Sequence, residues 1–284
     1  MTLRGGGEHG PPTGQAPSPS APAGPAELGA PARLSRATLA RVFWRSLFLQ
    51  AAWNRRGMQN LGFAYAIDPA LRALYGDPVL REEALRRHLG FFNCHPYMAA
   101  AILGGAIHHE ERVAAGLEPS QASLRYKQTL QGPLAAIGDG FFWTALRPFF
   151  GALGALGALI FGLPAVWVVL VVYNVIHFAL RIGLFRVGYE RGDALVPLIA
   201  RLSLPVVADR LRTGGAALAG GAAGLWVYHA AARWPEPGAP ITALAAVAGY
   251  LALARGARLF PTAYVAALAG AAAALVLGHF QGSS

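Results

Sequence analysis

The sequence predicts an all-helical, polytopic membrane protein, and three observations carry that reading. Of 284 residues, 55% are hydrophobic and only 13% charged, about half the charged share of a soluble globular domain. Mean hydropathy is +0.40, so a chain this size lacks the polar side chains to cover a water-exposed globule. The charge is also lopsided, 24 Lys+Arg against 14 Asp+Glu, with Lys127 the only lysine. Arginines that flank apolar runs fit cytoplasmic membrane flanks and anionic lipid headgroups better than nucleic acid. Cys94 is the single cysteine, which excludes an intrachain disulfide and a cysteine-based zinc cluster.

Three regions follow along the chain. Residues 1–32 are dominated by Gly, Pro, Ala and Ser, with almost no bulky apolar residue after Leu3; such a segment does not repay its ordering entropy, so it reads as a disordered tail. It lacks the apolar core of a signal peptide, which leaves the N-terminus in the cytoplasm. Residues 33–131 form an arginine-rich cytoplasmic or interfacial helical region. In 34–50, Ser35 is positioned as an N-cap and Arg36, Arg41 and Arg45 alternate with Leu39, Val42, Phe43, Trp44, Leu47 and Phe48. The pattern suits an amphipathic helix on a membrane surface, the lesser alternative being a helix packed on its own domain, which periodicity alone does not separate from it. Asp77-Pro78 starts another helix, with Asp as cap and Pro in the first turn.

Residues 132–284 form the transmembrane region, where only Asp139, Glu190, Asp193, Asp209 and Glu236 remain as acids. Apolar segments run at 149–162, 164–180, 214–232, 239–254 and 260–278, the last being the clearest span. Arginine clusters at 181–191, 201–212 and 255–258 place those stretches inside and the C-terminus outside, if 149–180 forms a hairpin. Gly151, Gly154 and Gly157 allow close helix approach.

Several groups could carry chemistry. Residues 132–150 hold Gly132-Pro133, then Gly138-Asp139-Gly140, then Arg147-Pro148, which predicts a broken, re-entrant helix pair around one acid, with Arg147 as its partner. Asp139 as a plain helix cap is an equal reading. Segment 50–65 gathers Gln50, Asn54, Gln59 and Asn60 around Trp53 and Phe63. Amides with an aromatic face suit a neutral sugar, while the same residues also end helices and line loops. His108-His109-Glu110-Glu111 lacks the i, i+4 pairing of a zinc helix and reads as a solvated helix end, with no metal assigned. No nucleophile elbow, P-loop or dinucleotide fingerprint occurs, so no catalytic residue and no cofactor are expected.

Taken together, Gln50, Trp53-Asn54, Met58-Gln59, Leu61-Gly62-Phe63, Arg87-His88-Leu89, Phe91-Phe92-Asn93, His95-Pro96-Tyr97, Ile102-Leu103-Gly104 and Glu110-Glu111 closely resemble the IID subunit of mannose-type phosphotransferase systems. The resemblance continues through Gly132-Pro133-Leu134, Ile137-Gly138-Asp139, Phe142-Trp143 and Leu146-Arg147-Pro148 to about residue 195. It implies a non-catalytic subunit of an inner-membrane permease that pairs with a IIC chain in an oligomer of IIC–IID pairs. Such a pair carries a hexose while IIA and IIB deliver phosphate to it. It also implies a substrate-binding set drawn from Gln50, Trp53, Asn54, Gln59, Asn93, His95 and Asp139. The chain departs at Arg55-Arg56-Gly57, where the family usually has an aromatic residue, Glu and Arg. That reversal of charge raises the alternative of a scaffold or regulatory subunit that keeps the fold and no longer moves sugar. Cys94 stands where Thr is common and reads as packing.

Overall fold

A computed structural model of the chain describes residues 33–233 and Val247. The tail at 1–32 and the segments at 239–254 and 260–278 lie outside those residues, Val247 apart.

Among the described residues every regular element is helical, and the only β pairing is two isolated bridges, Asn54 with Met58 and Met58 with Phe92. Helix α1 (Arg36–Ser46) begins where expected: the Ser35 hydroxyl accepts the Thr38 N–H at 3.1 Å. It buries Val42 and Ser46 and half-buries Leu39 and Phe43, leaving Arg41, Trp44 and Phe48 exposed. Its inner face therefore packs on the protein. Arg45 turns back to Asp68 at 3.0 Å instead of outward. Helix α2 (Asn60–Leu74) packs on α1, and the Cβ that Gly62 lacks would overlap the Leu49 carbonyl. Helix α3 (Pro78–His88) starts with the Asp77 carboxylate accepting the Val79 N–H at 2.8 Å. Its outer face carries the exposed Glu82–Arg86 pair and its inner face buries Ala84 and His88.

The core is centred on α4 (Ala99–Ala114), whose residues 99–107 are all buried. A helix apolar all round must be covered on every side, and α2, α5 (Ala122–Gly138) and α7 (Leu163–Arg191) cover it. The closest approach is to α7, where a Cβ on Gly104 would overlap the Phe185 carbonyl and one on Gly188 the Ala101 carbonyl.

No break occurs between 132 and 150. Helix α5 runs through Pro133 and Gly138 into a π-helical stretch, Asp139–Leu146, and on into α6 (Arg147–Phe161). Gly138 and Asp139 keep right-handed helical angles, so the re-entrant pair expected from the Gly and Pro pattern is replaced by one helix with a widened turn. Its backbone finds partners from neighbours, which is what lets Gly and Pro sit inside such a helix. Gly162, with φ +75°, turns α6 back into α7. That is the expected hairpin, zipped where Gly157 meets Ala165 and Gly154 meets Val169. A short 3-10 turn (Gly192–Ala194) and α8 (Leu195–Arg201) lead to α9 (Leu204–Arg233), which lies along α6 with Gly214 and Gly215 against Phe149.

Two continuous helical runs, Ala122–Phe161 and Leu163–Arg201, are long and apolar enough to cross a membrane. Only 6% of the most apolar window of the second is buried inside the protein, unlike the core helix of a soluble domain. Trp167, Val171, Val175 and Phe178 point outward along it.

Candidate functional site

The loop between α1 and α2 is held by amides. Asn54 Oδ1 accepts the N–H groups of Arg56 and Gly57 at 3.1 and 2.8 Å, and its Nδ2 donates to Asn60 Oδ1 at 2.9 Å. Asn60 in turn donates to the Leu89 carbonyl at 2.5 Å. The Asn60 amide occupies the space that a Cβ on Gly57 would fill. Met58 takes φ +57°, which lets its backbone pair with both Asn54 and Phe92. Gln59 is buried, with Oε1 accepting the Cys94 N–H at 3.1 Å. Arg55 and Arg56 project into the exposed turn.

These bonds tie the loop to residues 91–95, which lie on α5 and the π stretch. The Asn93 N–H donates to Gln131 Oε1 at 3.2 Å. The His95 ring stacks on Phe142 at 4.9 Å and meets the edge of Trp143 at 5.1 Å, while Gly138 leaves room for its Cβ. His95 Nδ1 accepts the Tyr97 N–H at 3.3 Å, so Nε2 carries the proton, and that buried donor has no acceptor among the described residues. Asn54, Gln59, Asn93 and His95 thus lie on adjoining segments, the 54–59 loop and residues 91–95, with Gln59 and His95 buried, and Asp139 follows Gly138, which packs on His95. Gln50 and Trp53 occupy the turns leading into the 54–59 loop, and both are exposed. Asn54 and Gln59 direct their amides to the loop's own backbone and neighbours. Asp139 is exposed, makes no ion pair with Arg147 and caps no helix.

The widened turn is served from α9. Arg212 donates to the Gly140 carbonyl and to Thr144 Oγ1, both at 3.0 Å, while pairing with Asp209 at 2.5 Å. Sequence reading missed this link, since 72 residues separate Arg212 from Gly140.

The reading of His108–Glu111 as a solvated helix end is overturned. His109, Glu110 and Glu111 are buried. Glu110 accepts from Arg87 Nε at 3.0 Å, from the Tyr75 hydroxyl at 2.7 Å and lies 2.9 Å from His88 Nε2. Glu111 accepts from the Leu34 N–H at 2.8 Å and from the Tyr189 hydroxyl at 2.5 Å. His109 contacts Glu118, which also pairs with Arg112. Lys127, fully buried, donates to the His88 carbonyl at 3.2 Å over the rings of Phe63 and Phe92. Helix-end charge suggests solvent, but the partners of Glu110 and Glu111 come from Tyr75 at the end of α2, from α3, from α7 and from the chain before α1, far off in sequence.

Burial alone would raise the Glu110 carboxyl, yet the hydrogen bond with His88, the Arg87 guanidinium and the Tyr75 hydroxyl outweigh it and hold the group below its ordinary range. Burial pushes the His88 imidazole down, against the pull of Glu110, and pushes His95 down to about 4. Cys94 is driven up to about 12 by burial, which keeps it an unreactive thiol. The imidazole shifts predict acid sensitivity. Below the ordinary value of 6.5 the unfolded chain binds protons on both rings that the folded chain refuses. Stability should then fall as the pH drops below 6.5, and Glu110 adds to the loss below its ordinary value of 4.5. Thermal unfolding in detergent between pH 7.5 and 5 checks this, and a flat profile contradicts it.

Among the described residues the chain is all helical, with two apolar helices long enough to cross a membrane and a buried ionic cluster, features that point to the class of membrane proteins. Its sequence over residues 33–231 matches the family described as PTS system mannose/fructose/sorbose family IID component, and the chain belongs to that family. It is 39% identical over 166 residues to the mannose-specific EIID component of Escherichia coli K12, covering 58% of this chain and 59% of that protein. It is 34% identical over 170 residues to the fructose permease IID component of Bacillus subtilis, covering 59% and 62%. The chain thus spans about three-fifths of the length of the curated relatives it matches. Its fold is similar to a chain in the cryo-EM structure of the mannose transporter ManYZ with microcin E492, with TM-score 0.54 and 27% identity over 88% of this chain and 98% of that one. A second solved membrane protein gives TM-score 0.67 and 28% identity over 85% and 98%.

Proposed function

We propose that the chain is the IID membrane subunit of a mannose-type sugar phosphotransferase permease. With a IIC partner it forms the pathway that moves a hexose, coupled to phosphorylation of that hexose by IIA and IIB. The observation that carries this reading is the family match over residues 33–231 together with the likeness to the ManYZ chain over nearly its full length. Assembly is as an oligomer of IIC–IID pairs in the bacterial inner membrane, multi-pass, with the N-terminus cytoplasmic and the C-terminus outside. In this arrangement residues 1–32 are a tail, 33–131 the cytoplasmic and interfacial part and 132–284 the membrane part. The relatives do not favour the non-transporting scaffold.

The sugar side of the site is formed by the exposed Trp53 face, with Gln50, Asn93 and Asp139 supplying hydrogen bonds, while the buried His95 ring supports the patch from beneath through Phe142 and Trp143. Asn54 and Gln59 act from beneath by holding the loop. Phosphoenolpyruvate-dependent hexose uptake in a host without its own mannose permease, supplied with IIA, IIB and IIC, is expected only when this chain is present. Equal uptake without it overturns the proposal.

A further inference from the structure

A groove of about 750 Å³ lies between α1 and the last turns of α7, away from the sugar patch. Its floor is apolar, including Phe43, Ile182 and Phe185, the first and last in edge contact at 5.7 Å. Its rim carries Arg33, Arg36 and Arg186. One acid answers them, Glu190, whose exposed contact with Arg186 is 4.0 Å long. An exposed pair of that length contributes little, so the rim keeps a net positive charge facing outward.

The groove's position decides what fits it. From Leu163 to Leu180 helix α7 carries no charged residue, a run of about 18 residues and about 27 Å, close to the thickness of a bilayer's hydrocarbon, and Arg181, which follows, is buried and donates to the Ser46 carbonyl. Ile182 ends the outward apolar stripe that includes Val175 and Phe178, and Arg186 follows one turn later. The floor is therefore continuous with the surface that faces acyl chains, and the three guanidiniums stand at headgroup height. From this we infer that the groove is a binding site for an anionic phospholipid, its phosphate held by Arg33, Arg36 and Arg186 and one acyl chain lying over Phe43 and Ile182. Arginine presents paired donors to phosphate oxygens, which lysine does not, and every basic residue here is arginine. The bound lipid bridges α1 to α7 and so fixes the amphipathic helix against the span. The inference rests on α7 crossing the membrane.

The test uses the full chain with its IIC partner in detergent, exposed to equal phosphatidylglycerol and phosphatidylcholine of matched chains, with retained lipid counted by native mass spectrometry. Phosphatidylglycerol should be retained about tenfold over phosphatidylcholine, given the attraction of each basic residue for an anionic headgroup. The double variant R36Q/R186Q should bring the ratio close to one, while R55Q/R56Q, with the same loss of charge elsewhere, should keep it. Glycerol 3-phosphate should not displace the lipid. Equal retention by the unaltered protein, an unchanged ratio in R36Q/R186Q, or displacement by glycerol 3-phosphate overturns the site. So does a preference that emerges only after residues 1–32 are removed, which would assign the groove to the chain's own tail. Lipid retention is read without sugar, so a protein that keeps the lipid yet supports no uptake overturns the transport reading and leaves this site standing.

Discussion

Gly188→Ala is expected to destabilise the protein by about 2–3 kcal/mol, the upper part of the usual cost of overfilling a packed core. The sign is the informative part. In a helix interior alanine is favoured over glycine by about 1 kcal/mol, so intrinsic propensity predicts a gain. At Gly188 the new Cβ meets the Ala101 carbonyl and the Gly105 nitrogen, backbone atoms that cannot rotate aside. Helices α4 and α7 must separate, and that interface is the most extensive among the described residues. Gly104→Ala, facing the Phe185 carbonyl, should behave alike. Gly183→Ala, on the same helix with nothing within 4 Å, should keep or raise stability. Thermal unfolding of the three variants in detergent checks the set; a stabilised Gly188→Ala refutes the close crossing.

Glu110→Ala is expected to cost about 3–5 kcal/mol, because it strands the buried His88 and the largely buried Arg87 without their shared carboxylate. Glu82→Ala removes a carboxylate with an equally short arginine contact, 2.7 Å, but both partners are exposed. That change should cost under about 1 kcal/mol. Burial, and not distance, separates the two. A loss of comparable size in both variants would show that the Glu110 cluster is solvated after all.

The parts of the fold that were legible in the sequence are those decided locally. Ser35 and Asp77 cap the helices they were expected to cap, since a side-chain oxygen reaching an N–H two or three residues on needs no distant partner. The hairpin at 149–180 was legible from its lack of charge. What long-range packing decides was not. His109, Glu110 and Glu111 look solvated until Tyr75, Arg87, His88 and Tyr189 are brought to them. Gly138-Asp139-Gly140 looks like a break until Arg212 reaches the Gly140 carbonyl from α9. The amides of the 50–65 segment stand together in the sequence, while the division between Asn54 and Gln59, which hold the loop, and Trp53 and Gln50, which are exposed, depends on hydrogen bonds that only the folded chain displays.

That division allows the most direct test of the central claim, that this subunit contributes sugar contacts to a permease pathway. The measurement is phosphoenolpyruvate-dependent hexose uptake by Trp53→Ala and Gln50→Ala, in complexes whose amount in the membrane and association with IIC match the unaltered protein. Uptake should fall at least about tenfold for Trp53→Ala, in line with about 1–3 kcal/mol for a ring-stacking contact, and by less for Gln50→Ala. Unchanged uptake in both variants, with assembly intact, would contradict the account.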